Sequence, residues 1–254
     1  MPENVTISRI DGVATVTIDR PDSLNALNVN TLEALDRTLD ETEDARVVVL
    51  TGAGEDAFVA GADIGYMKGL SVEEAMEYAE LGHEICDRLA DHSAPVIAAV
   101  NGYAFGGGCE LALACDLRVA SENAVLGQTE IDLGIVPGWG GTQRLSRLVG
   151  DAAARRMVFL GERLDAEAAA EIGLVGEVVP QDDLDSVVEE MAHQLAEKPR
   201  FALAAAKEAL NQVHEGPQSA GLDYEKRLWS GLFGTADQRE GMEAFVEKRD
   251  PDFE

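Results

Sequence analysis

Residues 95–121 read PVIAAVNGYAFGGGCELALACDLRVAS. Val96–Val100 is apolar without alternation, the pattern of a strand covered on both faces. Asn101 and Gly102 end that run, and the glycines at 106–108 permit a sharp turn before CELALAC (109–115), which reads as a helix. DLRVAS then starts another strand. Buried strand, glycine turn, helix and strand in close succession describe a layered α/β core with helical crossovers. The same stretch holds an anomaly, since Glu110 is the only Asp, Glu, Lys or Arg between Asp91 and Asp116. A carboxylate one turn into an apolar helix is costly to ionise without a partner, so its pKa is expected to rise. That is the preparation a general acid or base needs. A first-turn glutamate favoured by the helix dipole is the alternative reading. The free N–H groups at the start of such a helix are also suited to hold a developing oxyanion.

The pattern extends in both directions. VTISRIDGVATVTIDR (5–20) alternates on both sides of Asp11-Gly12, a hairpin signal. NVNTLEALDRTLDETED (28–44) has helical spacing with Asn28 or Asn30 as cap, and RVVVLTG (46–52) reads as a buried strand. A long helix capped by Ser71 is expected over 71–92, two short strands over 116–127, and one more strand in LVGEVV (174–179). The rest reads as helix, and the last 55 or so residues carry almost no strand signal, which suggests a helical appendage.

The chain has 254 residues, 46% of them hydrophobic, enough for one sizeable core. No stretch resembles a signal peptide or a membrane span. Cys86, Cys109 and Cys115 fit no zinc spacing and read as reduced core thiols of a cytoplasmic protein, and the four histidines show no ligand spacing, so no metal is expected. The net charge is −28, with 48 acidic residues against 20 basic ones, of which only five are lysine. Such a field disfavours nucleic acid and anionic membrane as partners. The scarcity of lysine suggests adaptation to a salty cytoplasm, because at about 1 M salt the screening length is only about 3 Å.

Two nucleotide motifs fail. VVVLTGAGEDA (47–57) mimics a dinucleotide fingerprint, but Glu55 and Asp56 occupy the turn where a pyrophosphate would sit. PGWGGTQ (137–143) has the glycines of a phosphate loop without its lysine. Two other candidates remain. Glu130, ahead of a glycine-rich turn, is unremarkable alone, but two carboxylates brought together can divide acid and base duties. FVAGADIGYM (58–67) is rich in small residues after a buried strand, so Ala62 can offer a second N–H donor.

AFVAGADI (57–64), residues 95–121, LGQTEIDLGIVPGWGGTQRLSRLVG (126–150) and DQREGMEAFVEKRDPDF (237–253) together resemble the enoyl-CoA hydratase (crotonase) family, in the family's order and over nearly the whole chain. The resemblance implies a crotonase (ClpP-like) α/β spiral of ββα units over residues 1–198. It also implies a C-terminal helical trimerisation region over 199–254, with a homotrimer or a homohexamer as the assembly. It implies an acyl-CoA thioester substrate and no cofactor, since coenzyme A enters as part of the substrate. The residues matching Ala62 and Gly107 form the oxyanion hole. The one matching Glu110 activates water, and the one matching Glu130 delivers a proton to Cα. The loop through Ala60, Ala62, Asp63, Ile64 and Gly65 lines coenzyme A, and Lys248 contacts its phosphate. The implied activity is enoyl-CoA hydratase, as in β-oxidation, with a Δ3,Δ2-enoyl-CoA isomerase or another acyl-CoA lyase as the alternative. Two departures bear on the acyl pocket: Gly65-Tyr66 replaces the family's commoner charged pair, and Trp139 occupies a variable position.

Overall fold

A computed structural model describes residues 4–253. Strands β1 (Val5–Ile10) and β2 (Val13–Ile18) form the expected hairpin, closed by Asp11 and Gly12 at φ 48° and 82°. Two successive positive-φ residues give the turn whose twist matches the flanking strands. Helix α1 (Val29–Asp40) is capped by Asn28, whose side chain accepts from Thr31 N at 3.0 Å.

From here the chain spirals. β3 (Val47–Gly52) enters a large sheet, β4 (Ala57–Val59) a small one, and α2 (Ile64–Met67) with α3 (Val72–Ala90) cross back. The next turn is β5 (Val96–Val100), β6 (Tyr103–Phe105) and α4 (Gly107–Ala114). The third is β7 (Leu117–Ser121), β8 (Val125–Gly127), α5 (Gly141–Val149) and α6 (Asp151–Leu160). β9 (Arg163–Asp165), α7 (Ala166–Glu171), β10 (Glu177–Val179) and α8 (Leu184–Ala196) follow, and the tail is α9 (Arg200–Asn211), α10 (Gln218–Leu232) and α11 (Ala236–Glu247). The large sheet has the order β1-β2-β3-β5-β7-β10 and is parallel except for the hairpin. The small sheet has the order β4-β6-β8-β9 and is parallel except at β8–β9. Each turn therefore lays one strand in each sheet, which is the spiral of ββα units.

The uninterrupted apolar runs of β3 and β5 follow from cover on both faces. Val48, Leu50, Val96, Ala98 and Val100 point into the main core. Val47, Val49, Ile97 and Ala99 point the other way, onto Leu184, Val188 and Ala192 of α8. Where the chain leaves one sheet for the other, Asn101 replaces missing ladder bonds: its Nδ2 donates to Gly52 O (2.9 Å) and Gly54 O (2.7 Å). Ser71 caps α3 as expected, in a reciprocal box with Glu74. α9 is tied to the core by buried Lys207, whose Nζ donates to Asp116 Oδ2 (2.8 Å) and the carbonyls of Leu89 and Ala94.

Three strands were not expected. β4, β6 and β9 are three residues each and carry no periodicity of their own. They exist because neighbouring turns of the spiral present partners in register. α4 also starts at Gly107, two residues before the expected onset.

α4 lies against β4 with no side chain between them at Gly108, where an added Cβ would stand 2.0 Å from Val59 O. Gly108→Ala must push helix and strand apart, an overpacking cost of about 2 kcal/mol or more. Equilibrium urea unfolding should show a lowered midpoint; an unchanged one would mean that α4 has room to retreat.

Candidate active site

β6, the turn at Gly106 and the start of α4 build one wall of a cavity of about 350 Å³. Gly106 takes φ 49°, ψ −120°, a conformation open to glycine and strained for other residues. A Cβ there would also come 3.0 Å from Glu130 Oε1, so the turn is bare where the carboxylate lies over it. Gly107 begins α4, and its N–H has no partner within the helix. Across the cavity, Leu27 and Ala62 form an isolated bridge. Its bonds run from Leu27 N to Gly61 O (2.9 Å) and from Asp63 N to Leu27 O (2.7 Å), which leaves the Ala62 N–H outside the bridge.

Glu110 is 2% exposed and lines the cavity from α4. Its Oε1 accepts from Trp139 N and Gly141 N, both at 2.7 Å. Burial raises its pKa, while the N–H groups of Gly141, Trp139 and Gly138 and the nearby His83 pull it back toward ionisation. Glu130 opens a single 3₁₀ turn (Glu130–Leu133) and is 8% exposed. Burial, and after it the negative charge of Glu110, push its pKa up to about 7. The fully buried Gln128 amide is assigned with its nitrogen toward Glu130, because the reverse would set its oxygen against two carboxylate oxygens. It then donates to Oε1 at 3.1 Å and Oε2 at 3.2 Å.

The two carboxylates thus share one cavity in different environments. Glu110 holds two short backbone donors that favour its charged form, whereas Glu130 has the longer Gln128 contacts on that side and burial and the repulsion of Glu110 on the other. Such a pair can offer a base and an acid at the same pH.

Of the residues singled out in the sequence, Glu110, Glu130, Ala62, Gly107, Ala60 and Ile64 all line the cavity. Asp63 does not: it caps α2 through Tyr66 N (3.2 Å) and pairs with Arg20 at 3.4 Å. Gly65 lies inside α2, and Lys248 stands exposed at the end of α11 with φ 58°, outside the cavity lining. Sequence reasoning missed Gln128, for which a lone glutamine two residues before Glu130 gives no signal. Trp139, given by the sequence as a variable position, lines the cavity with both carboxylates and holds the first through its N–H. The three thiols are all buried, and burial pushes Cys109 and Cys115 up to about 12. Among the described residues, no group of three or more His, Cys, Asp or Glu is arranged to hold a metal ion, and no helix is long and apolar enough to cross a membrane.

A family model described as enoyl-CoA hydratase/isomerase matches residues 8–254. A Clostridium acetobutylicum protein named short-chain-enoyl-CoA hydratase is 45% identical over 249 residues, 97% of this chain and 95% of that one. A Syntrophomonas wolfei protein named crotonyl-CoA hydratase is 41% identical over 254 residues, 99% of this chain and 98% of that one. The crystal structure of an enoyl-CoA hydratase from Bacillus anthracis matches with a TM-score of 0.95 at 39% identity, covering 98% of each chain.

Glu130 has a linkage consequence. A carboxyl raised from 4.5 to about 7 holds its proton longer in the folded state, so its contribution to stability falls as pH rises between those values and is flat above. Glu130→Gln removes that loss. The variant should gain on the order of 2–3 kcal/mol relative to wild type between pH 5 and pH 8, from about 1.4 kcal/mol per pKa unit. Urea unfolding of both proteins across that range checks it; a stability difference independent of pH would show that Glu130 titrates normally.

Proposed function

The chain belongs to the enoyl-CoA hydratase/isomerase family, and from that premise we propose that it adds water reversibly to trans-2-enoyl-CoA thioesters, giving 3-hydroxyacyl-CoA. The observation that carries this reading is the pair of buried glutamates on one cavity, faced by two backbone N–H groups outside their local bonding patterns. The names of the two relatives above point to short acyl groups as substrates.

In the proposed reaction the thioester oxygen lies between the N–H groups of Ala62 and Gly107. Water addition at Cβ builds negative charge on that oxygen, and each fixed donor in a dry site is worth about 3 kcal/mol. Glu110, ionised and held by the 138–141 turn, takes a proton from the water as its oxygen bonds to Cβ. Glu130 gives its proton to Cα, so both new bonds form from the side of the carboxylates, a syn addition. The reaction leaves Glu110 protonated and Glu130 ionised, and proton exchange restores the pair. This chemistry calls on no resident cofactor, because coenzyme A enters with the substrate. Ala60, Gly61, Ala62 and Ile64 border the cavity, and the segment from Ala60 to Gly65 is assigned to coenzyme A. Lys248, exposed at the end of α11, is assigned to a phosphate of coenzyme A bound by a neighbouring subunit.

We also propose a homotrimer or homohexamer in a salt-rich cytoplasm. The tail exposes Phe201, Leu210, Trp229, Phe245 and Val246, more apolar surface than a solvated helical face needs. Fifteen arginines and five lysines cannot neutralise 48 acids, so the surface repels itself at low salt.

Glu110→Gln keeps size and polarity but cannot take a proton. It should lower hydration kcat roughly 100-fold or more, read as slower loss of enoyl-thioester absorbance with crotonyl-CoA. Migration of a 3-enoyl double bond, which one carboxylate can manage, should fall less. Hydration at the wild-type rate would remove Glu110 from the reaction. A second expectation concerns salt: between about 0.1 and 1 M KCl the screening length falls from about 10 to about 3 Å, so the thermal midpoint and the sedimenting mass should both rise. Values indifferent to salt would count against salt adaptation.

A further inference from the structure

The cavity has a rigid inner wall made by one side chain. Trp139 is 4% exposed and lines the cavity beside Gly107, Glu110 and Glu130. Its indole is wedged between two helices. A Cβ added at Gly107 of α4 would come 2.2 Å from Cζ3, and one added at Gly82 of α3 would come 2.2 Å from Cε2 and Nε1. Both helices are therefore bare of side chain where the ring passes. Tyr78 meets the ring edge-on with centroids 5.4 Å apart, and its own hydroxyl is anchored on Leu27 O at 2.6 Å. The backbone of Trp139 is fixed at both ends, by its N–H to Glu110 Oε1 and by its carbonyl to Arg144 Nη1 at 2.9 Å. Arg144 is held in turn by Asp87 at 2.5 Å. Helices on two sides, Tyr78 at its edge and a backbone fixed at both ends leave the ring only the cavity itself to move into.

We propose that the Trp139 indole sets the upper limit on acyl length, and that the residue joins this limit to the chemistry because its backbone N–H also holds Glu110. The proposal rests on the hydratase reading, which puts Cβ between Glu110 and Glu130. Carbons beyond Cβ are assigned to the side of the cavity lined by Ala75, Tyr78 and Ala79 of α3, where the ring stands against Tyr78 and Gly82. Substitution of the side chain leaves the N–H on Glu110, so the limit on length and the orientation of the base can be separated.

The test compares wild type with Trp139→Ala, Trp139→Leu and Trp139→Phe on enoyl-CoA esters of four, six, eight and ten carbons. The readout is kcat/KM for each length relative to the four-carbon ester. Wild type should decline steeply with length. Trp139→Ala should raise the ten-carbon to four-carbon ratio about 10-fold or more, since each methylene moved into an apolar space is worth up to about fourfold. Trp139→Leu should lie between, and Trp139→Phe should stay near wild type. If Trp139→Ala does not fold, Trp139→Leu carries the comparison. A ratio within about twofold of wild type in Trp139→Ala or Trp139→Leu overturns the proposal. So does wild type that hydrates the ten-carbon ester as well as the four-carbon one, which would mean that long chains leave past Leu133, Ile135 and Val136 at the cavity mouth. Dissociation constants for the saturated butyryl- and decanoyl-CoA esters, measured on the same proteins, keep the two ideas apart. If wild type hydrates none of the esters, the hydratase reading fails. The length limit then stands if the variants gain affinity for the decanoyl ester alone, and falls if they do not.

Discussion

Glu110 Oε1 receives two backbone N–H bonds from residues 29 and 31 positions further along the chain. Most of the cavity hangs on that clamp. It ties α4 to the turn that starts α5, so the helix carrying one carboxylate and the loop following the other cannot move independently. It directs Trp139 inward, because the residue whose N–H bonds the carboxylate places its ring between α3 and α4. It also supplies the charge compensation without which a carboxylate in an apolar helix would stay protonated. Without those two donors, burial would be opposed only by the Gly138 N–H and His83, and a neutral Glu110 would deprive Glu130 of the neighbouring charge that contributes to its raised pKa.

The clamp is possible because backbones approach closely around it. Gly108 admits β4, Gly107 and Gly82 admit the indole, and Gly106 lets the chain turn under Glu130. These glycines remove side chains where the cavity, its wall and the backbone of neighbouring elements must share a few ångströms. The cost is backbone entropy in a helix that starts with two glycines. It is offset by a completely buried α4, every residue of which lies in the interior. A peripheral helix of that composition would be unstable in water; this one is held by β4 and β6 of the small sheet and by α3 and α5.

Away from the cavity, the chain follows different rules. The outer face of the large sheet is closed by α8 in an ordinary apolar layer, and α9 of the tail is tied to the body by the buried cation Lys207 on Asp116, by Asn211 on Ala90 O and by Arg200 on Glu43 O. Most of the ion pairs are exposed arginine–carboxylate contacts, of small value individually. The acidic surplus is therefore a property of the surface as a whole, felt through its summed field and not through particular pairs.

Much of the fold was legible in the chain. The hairpin at Asp11-Gly12, the caps Asn28 and Ser71, the two-sided strands β3 and β5 and the helical tail all follow from local chemistry, because turn geometry, cap hydrogen bonds and apolar periodicity act over a few residues. Glu110 was legible too, as a charge where none belongs. The resemblance to a known family drew Ala62, Gly107 and Glu130 into the same site, although Glu130 by itself looks like any loop glutamate. The three short strands β4, β6 and β9 were not legible, since three residues have no period and pair only because the spiral returns beside them. Nor were the donors on Glu110, the amide of Gln128 over Glu130, or the seat of the Trp139 ring. Each is a contact between segments far apart in sequence, and their geometry is set by how the helices and sheets pack, which no local pattern encodes.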